Sequence, residues 1–358
     1  GVKRRGFGIP RGPLAIAFIL LTVVLCAGPL WSVNPAGSVT KIRLFPLYLA
    51  AFFVGVGALR RDENLRWILG ALLLLFAYCV IDGAVQKFTG VSLRGRELDH
   101  GRVRLQFTHP NDLTLLAVWS PIAMVLLSGA KRTVQVLGSL LLAGVFLLVV
   151  WSGSRSGLLA LLAGWGVAAT AMLPWRRLAL ATAGIVALLS MSYASDFGGL
   201  RERILMAFSP PYDPRLAVWA VDMTMWREYP ILGRGPGTYS LDYQAHLYAL
   251  ALPATWEIYP GVIEHPHGIF MAALVEYGTV GFLALIAVFI VGGISVVRAH
   301  RDQFSARYRD LCVGLAAAWV TLAVSGVVEF WIGRRWVLTM LALLAGIASD
   351  RRLTLTLR

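Results

Sequence analysis

Apolar stretches separated by short polar segments make up most of the chain. Several of these stretches approach the ~20 residues that a helix needs to cross a bilayer. The pattern predicts ten such helices, at about residues 13–31, 43–59, 67–86, 111–128, 134–151, 156–173, 178–195, 268–297, 311–329 and 336–349. The sequence therefore predicts an all-α polytopic membrane protein, in which residues 1–358 form a single membrane domain with one large, partly helical loop at 196–267.

The composition agrees with this fold and explains the basic charge. Hydrophobic residues make up 58% of the chain and charged residues 15%. With a cytoplasmic N-terminus, nearly all of the net charge of +14 falls in the short segments on the cytoplasmic side, as the positive-inside rule requires. The charge therefore predicts a topology rather than a nucleic-acid partner, with both termini in the cytoplasm and the large loop on the outer side.

The termini and cysteines add little chemistry. The basic N-terminus runs into a long first apolar stretch without a cleavage site, so no signal peptide is expected. The cysteines all lie inside apolar stretches, which argues against a disulfide framework or a metal cluster.

One stretch gathers titratable side chains at a predicted membrane surface. His265 and His267 directly precede the eighth apolar stretch, and Pro266 between them suits the first position of a helix. That helix would hold His267 in its first turn, where the helix dipole favours a neutral imidazole. Gly278 and Gly281 would let another helix approach the same face closely. His267 is thus a candidate base or, in the simpler interpretation, a residue that caps the helix and faces water.

Three arginines on the predicted outer side are candidate phosphate ligands. Arg155 lies in the turn WSGSRSG, where it either binds phosphate or reaches lipid headgroups. Arg215 begins an amphipathic helix of the large loop, where it either binds phosphate or pairs with Asp222. Arg234 lies in ILGRGPGTY, a glycine-rich loop that either cradles phosphate or only shapes a turn.

The same side carries supporting candidates. Asn111 lies where the fourth helix begins and is placed to cap it. Arg334 and Arg335 lie at the outer end of the last two helices, where they are either site residues or interfacial anchors beside tryptophans. The apolar stripe of the large-loop helix is predicted to comprise Leu216, Trp219, Ala220, Met223 and Trp226.

The order of these segments resembles the O-antigen ligase and polymerase superfamily of bacterial membrane glycosyltransferases. The resemblance rests on four parts: THPN, SGSRSG, the Arg215 helix followed by YPILGRGPGTY, and His267 with Gly278 and Gly281. One position departs from the family pattern, since Gly268 stands where the family carries Asn, Ser or Gln.

The resemblance implies a GT-C-like fold in the bacterial inner membrane and an inverting transfer without a metal or other cofactor. A glycan on undecaprenyl diphosphate would be the donor, and the acceptor hydroxyl would attack at the periplasmic face. His267 would be the base or the acceptor-orienting group, and Arg215 would be catalytic and hold the diphosphate, with Arg155 and more weakly Arg234. The supporting candidates are His265, Asn111, Arg334 and Arg335.

Three functions remain open at this point. One dominant outer loop favours an O-antigen ligase acting on lipid A–core over a polymerase that extends O-antigen or an exopolysaccharide on a growing glycan. The alternative from another class is a transporter or flippase of lipid-linked glycans. It requires ionisable groups inside the membrane, for which Asp82 and Glu276 are the candidates.

Overall fold

The fold class predicted from the sequence is confirmed. A computed structural model describes residues 12–59, 61, 63–195, 201, 205, 214–256, 258, 263, 265–303, 305–328, 335–350 and 353. Within these residues the protein is helical, and its strand-like pairing is limited to the isolated bridges Val91–Glu97 and Asp99–Arg102.

Helices occupy all ten predicted places. The described helices are α1 (Pro13–Ala27), α2 (Pro35–Ile42), α3 (Phe45–Gly57), α4 (Asn64–Thr89), α5 (Thr114–Ser128), α6 (Arg132–Trp151), α7 (Arg155–Met172), α8 (Trp175–Ala194), α9 (Arg215–Glu228), α10 (Tyr239–Ala249), α11 (Ile269–Asp302), α12 (Ala306–Val328) and α13 (Arg335–Ala348). Short 3-10 turns, Gly28–Leu30 and Pro110–Leu113, extend α1 and precede α5.

Eight segments of the described chain are long and apolar enough to cross a membrane. They comprise α1 with its 3-10 turn, α2 with α3, α4, α5 with its preceding turn, α6, α7, α11 and α12. Helices α8 and α13 fill the other two predicted places, and α13 is apolar but shorter. The second segment begins at Pro35, ahead of the predicted residue 43, because the Asn34 side chain caps α2 by accepting the Gly37 N–H.

Small residues set the packing inside the bundle. Helix α13 lies against α3, where a side chain at Gly55 or Gly346 would run into the backbone of the other helix. Helix α12 packs against α5, α7 and α11, and the Trp319 ring of α12 lies on Gly292 of α11. Close backbone approach replaces the hydrophobic effect as the main source of helix association in lipid.

Large apolar side chains also cover the outside of the bundle. Trp67 and Leu74 on α4, Leu140 on α6 and Leu180 on α8 are strongly exposed. Such a surface would be unfavourable in water but matches the acyl chains of a bilayer. The protein is therefore a membrane protein, as predicted.

Helices α9 and α10 form a separate unit at one end of the bundle, which we call the loop unit (residues 214–256). Its small core joins both helices to α11 and comprises Val218, Val221, Met225, Tyr239, Tyr243, Leu247, Ile263 and Val275. This packing places the first residue of α9, Arg215, and the start of α11 in one compact region.

Candidate active site

His267 lies just outside α11 rather than in its first turn. The predicted helix start at Pro266 is wrong, because α11 begins at Ile269 and Gly268 occupies the N-cap position. The half-buried His267 ring lies edge-on to that of His265, with 5.8 Å between the ring centroids. The two imidazoles are therefore neighbours at the entrance to α11.

Gly268 has a backbone conformation that explains its departure from the family pattern. Its φ of 113° lies in a region that side chains disfavour. A Cβ atom there would also overlap the carbonyl oxygen of Val327 on α12. An Asn, Ser or Gln side chain does not fit this backbone, so the amide or hydroxyl of the family pattern has no equivalent at position 268.

Helix α9 contacts the His267 segment directly. The indole N–H of Trp219 donates a hydrogen bond to the carbonyl oxygen of His267, at 3.0 Å. Arg215 lies one helical turn before Trp219, so both project from similar positions around α9. The structure thus brings the helix that begins with Arg215 against the segment that ends with His267.

The predicted ion pair between Arg215 and Asp222 is not formed. Asp222 is completely buried, and its carboxyl faces the Tyr239 hydroxyl. Burial raises the pKa of Asp222 to about 8, although the Tyr239 hydroxyl lowers it in part. The same burial, with the nearby Asp222 charge, raises the pKa of Tyr239 well above its ordinary value.

The buried face of α9 also differs from the predicted stripe. Its buried residues are Ala217, Val218, Val221, Asp222 and Met225. The predicted stripe was wrong because hydropathy assigns an aspartate to water, whereas Asp222 is in the core of the loop unit. The predicted stripe residues Trp219 and Trp226 are half-buried.

Helix α11 is broken at Gly278, where a continuous helix was predicted. Gly278 has φ 65° and ψ −167°. The glycine-rich loop, residues 229–238, lies in this break, in place of the neighbouring helix that the sequence suggested. Four backbone hydrogen bonds join the two, from Thr279 N–H to Pro230 O (2.8 Å), Val280 N–H to Ile231 O (3.1 Å), Arg234 N–H to Val275 O (3.1 Å) and Gly235 N–H to Glu276 O (2.9 Å). They replace helical bonds that the break removes.

Two glycines make this close approach possible. Gly233 and Gly278 both have positive φ. A Cβ atom on either glycine would overlap the backbone nitrogen of the other. The glycines of ILGRGPGTY therefore shape a junction with α11, which is the simpler of their two predicted roles.

Arg234 of this loop is held by two carboxylates that the sequence reasoning missed. Its buried guanidinium donates to Glu228 at 2.6 Å and to Asp242, and it lies over the Tyr229 ring. The His246 ring is 2.8 Å from Glu228. Partial burial raises the pKa of Glu228, but the hydrogen bonds and charges of His246 and Arg234 outweigh this and leave the pKa below its ordinary value.

Arg102, which sequence reasoning passed over, joins Asn111 to the turn before Arg155. Arg102 donates from Nε to the Ser152 carbonyl and from its terminal nitrogen to Asn111 Oδ1, both at 2.6 Å. The Ser154 hydroxyl caps α7 by accepting a backbone N–H, which leaves Arg155 as the first helical residue. Arg102 thereby ties Asn111 to the turn that carries Arg155.

The acids named for a transport function bind backbone groups of loops. Asp82 Oδ1 accepts the Leu93 N–H at 2.6 Å, and Glu276 Oε1 accepts the Gly237 N–H at 3.0 Å. Both residues are buried. These contacts give each acid a structural role in holding a loop against the bundle.

Two candidates are not placed by the structure. Arg334 lies outside the described residues. The backbone of Arg335 begins α13, but its side chain is not among those described.

The fold and these contacts define an all-α polytopic membrane protein with a compact loop unit at one end. Residues 137–286 match the family model described as O-Antigen ligase. The predicted resemblance to the O-antigen ligase superfamily is confirmed over these residues. Arg155, Arg215 and His267 all lie within the matched range.

The fold also has a counterpart among solved structures. A chain from the study "Structural coordination of polymerization and crosslinking by a peptidoglycan synthase complex" is similar over 95% of this chain and 96% of its own, with a TM-score of 0.51 and 18% identity. This likeness concerns the fold alone. The search of curated proteins finds no match.

Proposed function

We propose that the protein is an O-antigen ligase that transfers a glycan from undecaprenyl diphosphate to lipid A–core at the periplasmic face of the bacterial inner membrane. The O-antigen ligase domain at residues 137–286 is the observation that carries this proposal. The contact between Trp219 and His267 supports it, because it joins the helix that begins with Arg215 to the segment that contains His267.

The proposed reaction is a single displacement at the anomeric carbon. The acceptor oxygen forms the new glycosidic bond as the bond between the anomeric carbon and the diphosphate oxygen breaks, which inverts the configuration. His267 accepts the proton of the acceptor hydroxyl or orients that hydroxyl, and general-base help of this kind contributes about 10²–10⁴-fold. Undecaprenyl diphosphate leaves with the bonding electrons.

The proposed role of the arginines is to stabilise the leaving diphosphate. Arg215 and Arg155 are each the first residue of a helix, the end at which the helix dipole favours an anion. Such fixed positive groups stabilise charge that develops in the transition state. Arg234 contributes differently, because Glu228 and Asp242 already neutralise its charge and it holds the glycine-rich loop.

Transfer by the purified protein tests this function. The protein is incubated with an undecaprenyl diphosphate-linked glycan and a chelator, with and without lipid A–core, and the products are separated on a gel. We expect glycan on lipid A–core despite the chelator, and its loss in His267→Ala. His100→Ala removes a strongly exposed imidazole outside the candidate site, so it is the control and should retain most transfer.

Other outcomes would contradict parts of the proposal. Longer glycans on undecaprenyl diphosphate, with lipid A–core unchanged, would indicate a polymerase. Transfer that stops with the chelator would contradict the metal-independent step. No transfer by intact protein with intact donor would reject the enzyme and favour transport.

A further inference from the structure

Glycine at position 268 gives the backbone that follows His267 more intrinsic conformational freedom than another residue would. Gly268 lacks a Cβ, so the peptide unit between His267 and Gly268 has access to more orientations than it would before any other residue. The first backbone hydrogen bond of α11 runs from the Ala272 N–H to the Gly268 carbonyl oxygen, at 3.0 Å. The His267 carbonyl therefore lies outside the helical hydrogen bonds and is not oriented by them.

The Trp219 indole supplies an orienting contact from another element. Its N–H donates to the His267 carbonyl oxygen at 3.0 Å, across 48 positions of sequence. A hydrogen bond to a carbonyl oxygen fixes the plane of its peptide unit, because the donor favours the lone-pair directions. Fixing that plane restricts the ψ of His267 and hence the direction in which its side chain leaves the backbone.

Helix α9 holds the first part of α11 at both ends. Trp226, two helical turns beyond Trp219, donates to Pro230 O at 3.2 Å and to Thr279 Oγ1 at 3.3 Å. Trp219 thus contacts the entrance of α11, and Trp226 contacts the far side of the break at Gly278. Arg215 belongs to the same helix. The position of α9 against α11 therefore determines where Arg215 lies relative to His267.

We propose that Trp219 is a positioning residue, whose indole N–H fixes the His267 peptide unit and thereby aims the imidazole relative to Arg215. This inference rests on the proposed function of His267. Trp219 is not assigned any contact with the substrate, and its effect is transmitted through the backbone of His267.

The test uses two matched substitutions on one helix. Trp219→Phe and Trp226→Phe each remove an indole donor but keep an aromatic ring, and they act at opposite ends of the first part of α11. We expect Trp219→Phe to lower kcat about tenfold to a hundredfold with little change in KM for the donor, because small misplacements of a reacting group cost rates of this order. Trp226→Phe should leave kcat close to that of the unmodified protein.

A second readout does not depend on transfer. Diethyl pyrocarbonate modifies accessible neutral imidazoles, and mass spectrometry gives the modification rates of His267 and His265 in the same molecule. We expect Trp219→Phe to change the ratio of the two rates, and Trp226→Phe to leave it unchanged.

The two readouts separate the inference from the proposed function. An altered ratio in Trp219→Phe, with no transfer by the unmodified protein, would reject the ligase function and retain the positioning role. Normal kcat and an unchanged ratio in a folded Trp219→Phe variant would overturn the inference. So would equal losses of kcat in the two variants, since that result indicates a general weakening of the loop unit.

Discussion

Two arginines of the loop unit show how differently similar segments can use a positive charge. Arg234 lies in a glycine-rich loop and Arg215 at a helix start, and both segments resemble phosphate-binding elements. Arg234 is buried between Glu228 and Asp242, whereas Arg215 is half-buried at the first residue of α9 and lies one turn from the tryptophan that contacts His267. Local sequence composition did not distinguish these arrangements, because neither the turn that brings Glu228 and Asp242 to Arg234 nor the contact between Trp219 and His267 has a periodic signal.

The largest expected effect comes from replacing each arginine, with Arg215 affecting transfer and Arg234 affecting stability. Arg215→Ala should lower transfer by about 10²–10³-fold, the loss typical of removing one group that stabilises transition-state charge, with little change in the thermal unfolding midpoint. Arg234→Ala should instead destabilise the protein by about 1.5–3 kcal/mol, because two charge-assisted hydrogen bonds are lost. Transfer rates and thermal unfolding of both variants in detergent check this. A stable Arg234→Ala variant with the larger loss of transfer would reverse the comparison.

A smaller effect is expected at Gly268, where the chain departs from the family pattern it resembles. Gly268→Asn restores a residue that the family uses, yet we expect it to destabilise the protein by at least about 1–3 kcal/mol from backbone strain alone, before the overlap with the Val327 carbonyl. Thermal unfolding of Gly268→Asn and Gly268→Ala measures the effect. Similar losses in both variants would assign it to the backbone, whereas a stable, active Gly268→Asn would contradict the described conformation.

The last effect is a pH dependence of stability and concerns the buried acid of α9. Because burial raises the pKa of Asp222 from 3.8 to about 8, the folded protein binds a proton more tightly than the unfolded chain. Stability should therefore fall as the pH rises between these two values and level off above the higher one. Asp222→Asn should flatten this dependence and be relatively more stable at neutral pH. Unfolding midpoints across this range provide the test, and an unchanged slope would show that Asp222 is ionised in the folded state.

The sequence predicted the helices of the membrane bundle because each is encoded by a local apolar run. It failed where long-range contacts decide the structure. The break at Gly278 depends on a loop some forty-five positions earlier, and the buried side of α9 depends on an aspartate that hydropathy assigns to water. The contacts of Arg102 with Asn111 and of Trp219 with His267 join separate segments and have no periodic signal.

The break in α11 has a consequence for biogenesis. Residues 229–238 are synthesised before α11. The loop groups that hydrogen-bond to the broken part of α11 are therefore already present when this helix enters the membrane. Until they dock, the backbone groups around Gly278 lack the loop's hydrogen bonds, and exposed groups of this kind are costly in lipid. Insertion of α11 and folding of the preceding loop are therefore coupled events, and the bundle reaches its final form only after the polypeptide outside it has folded.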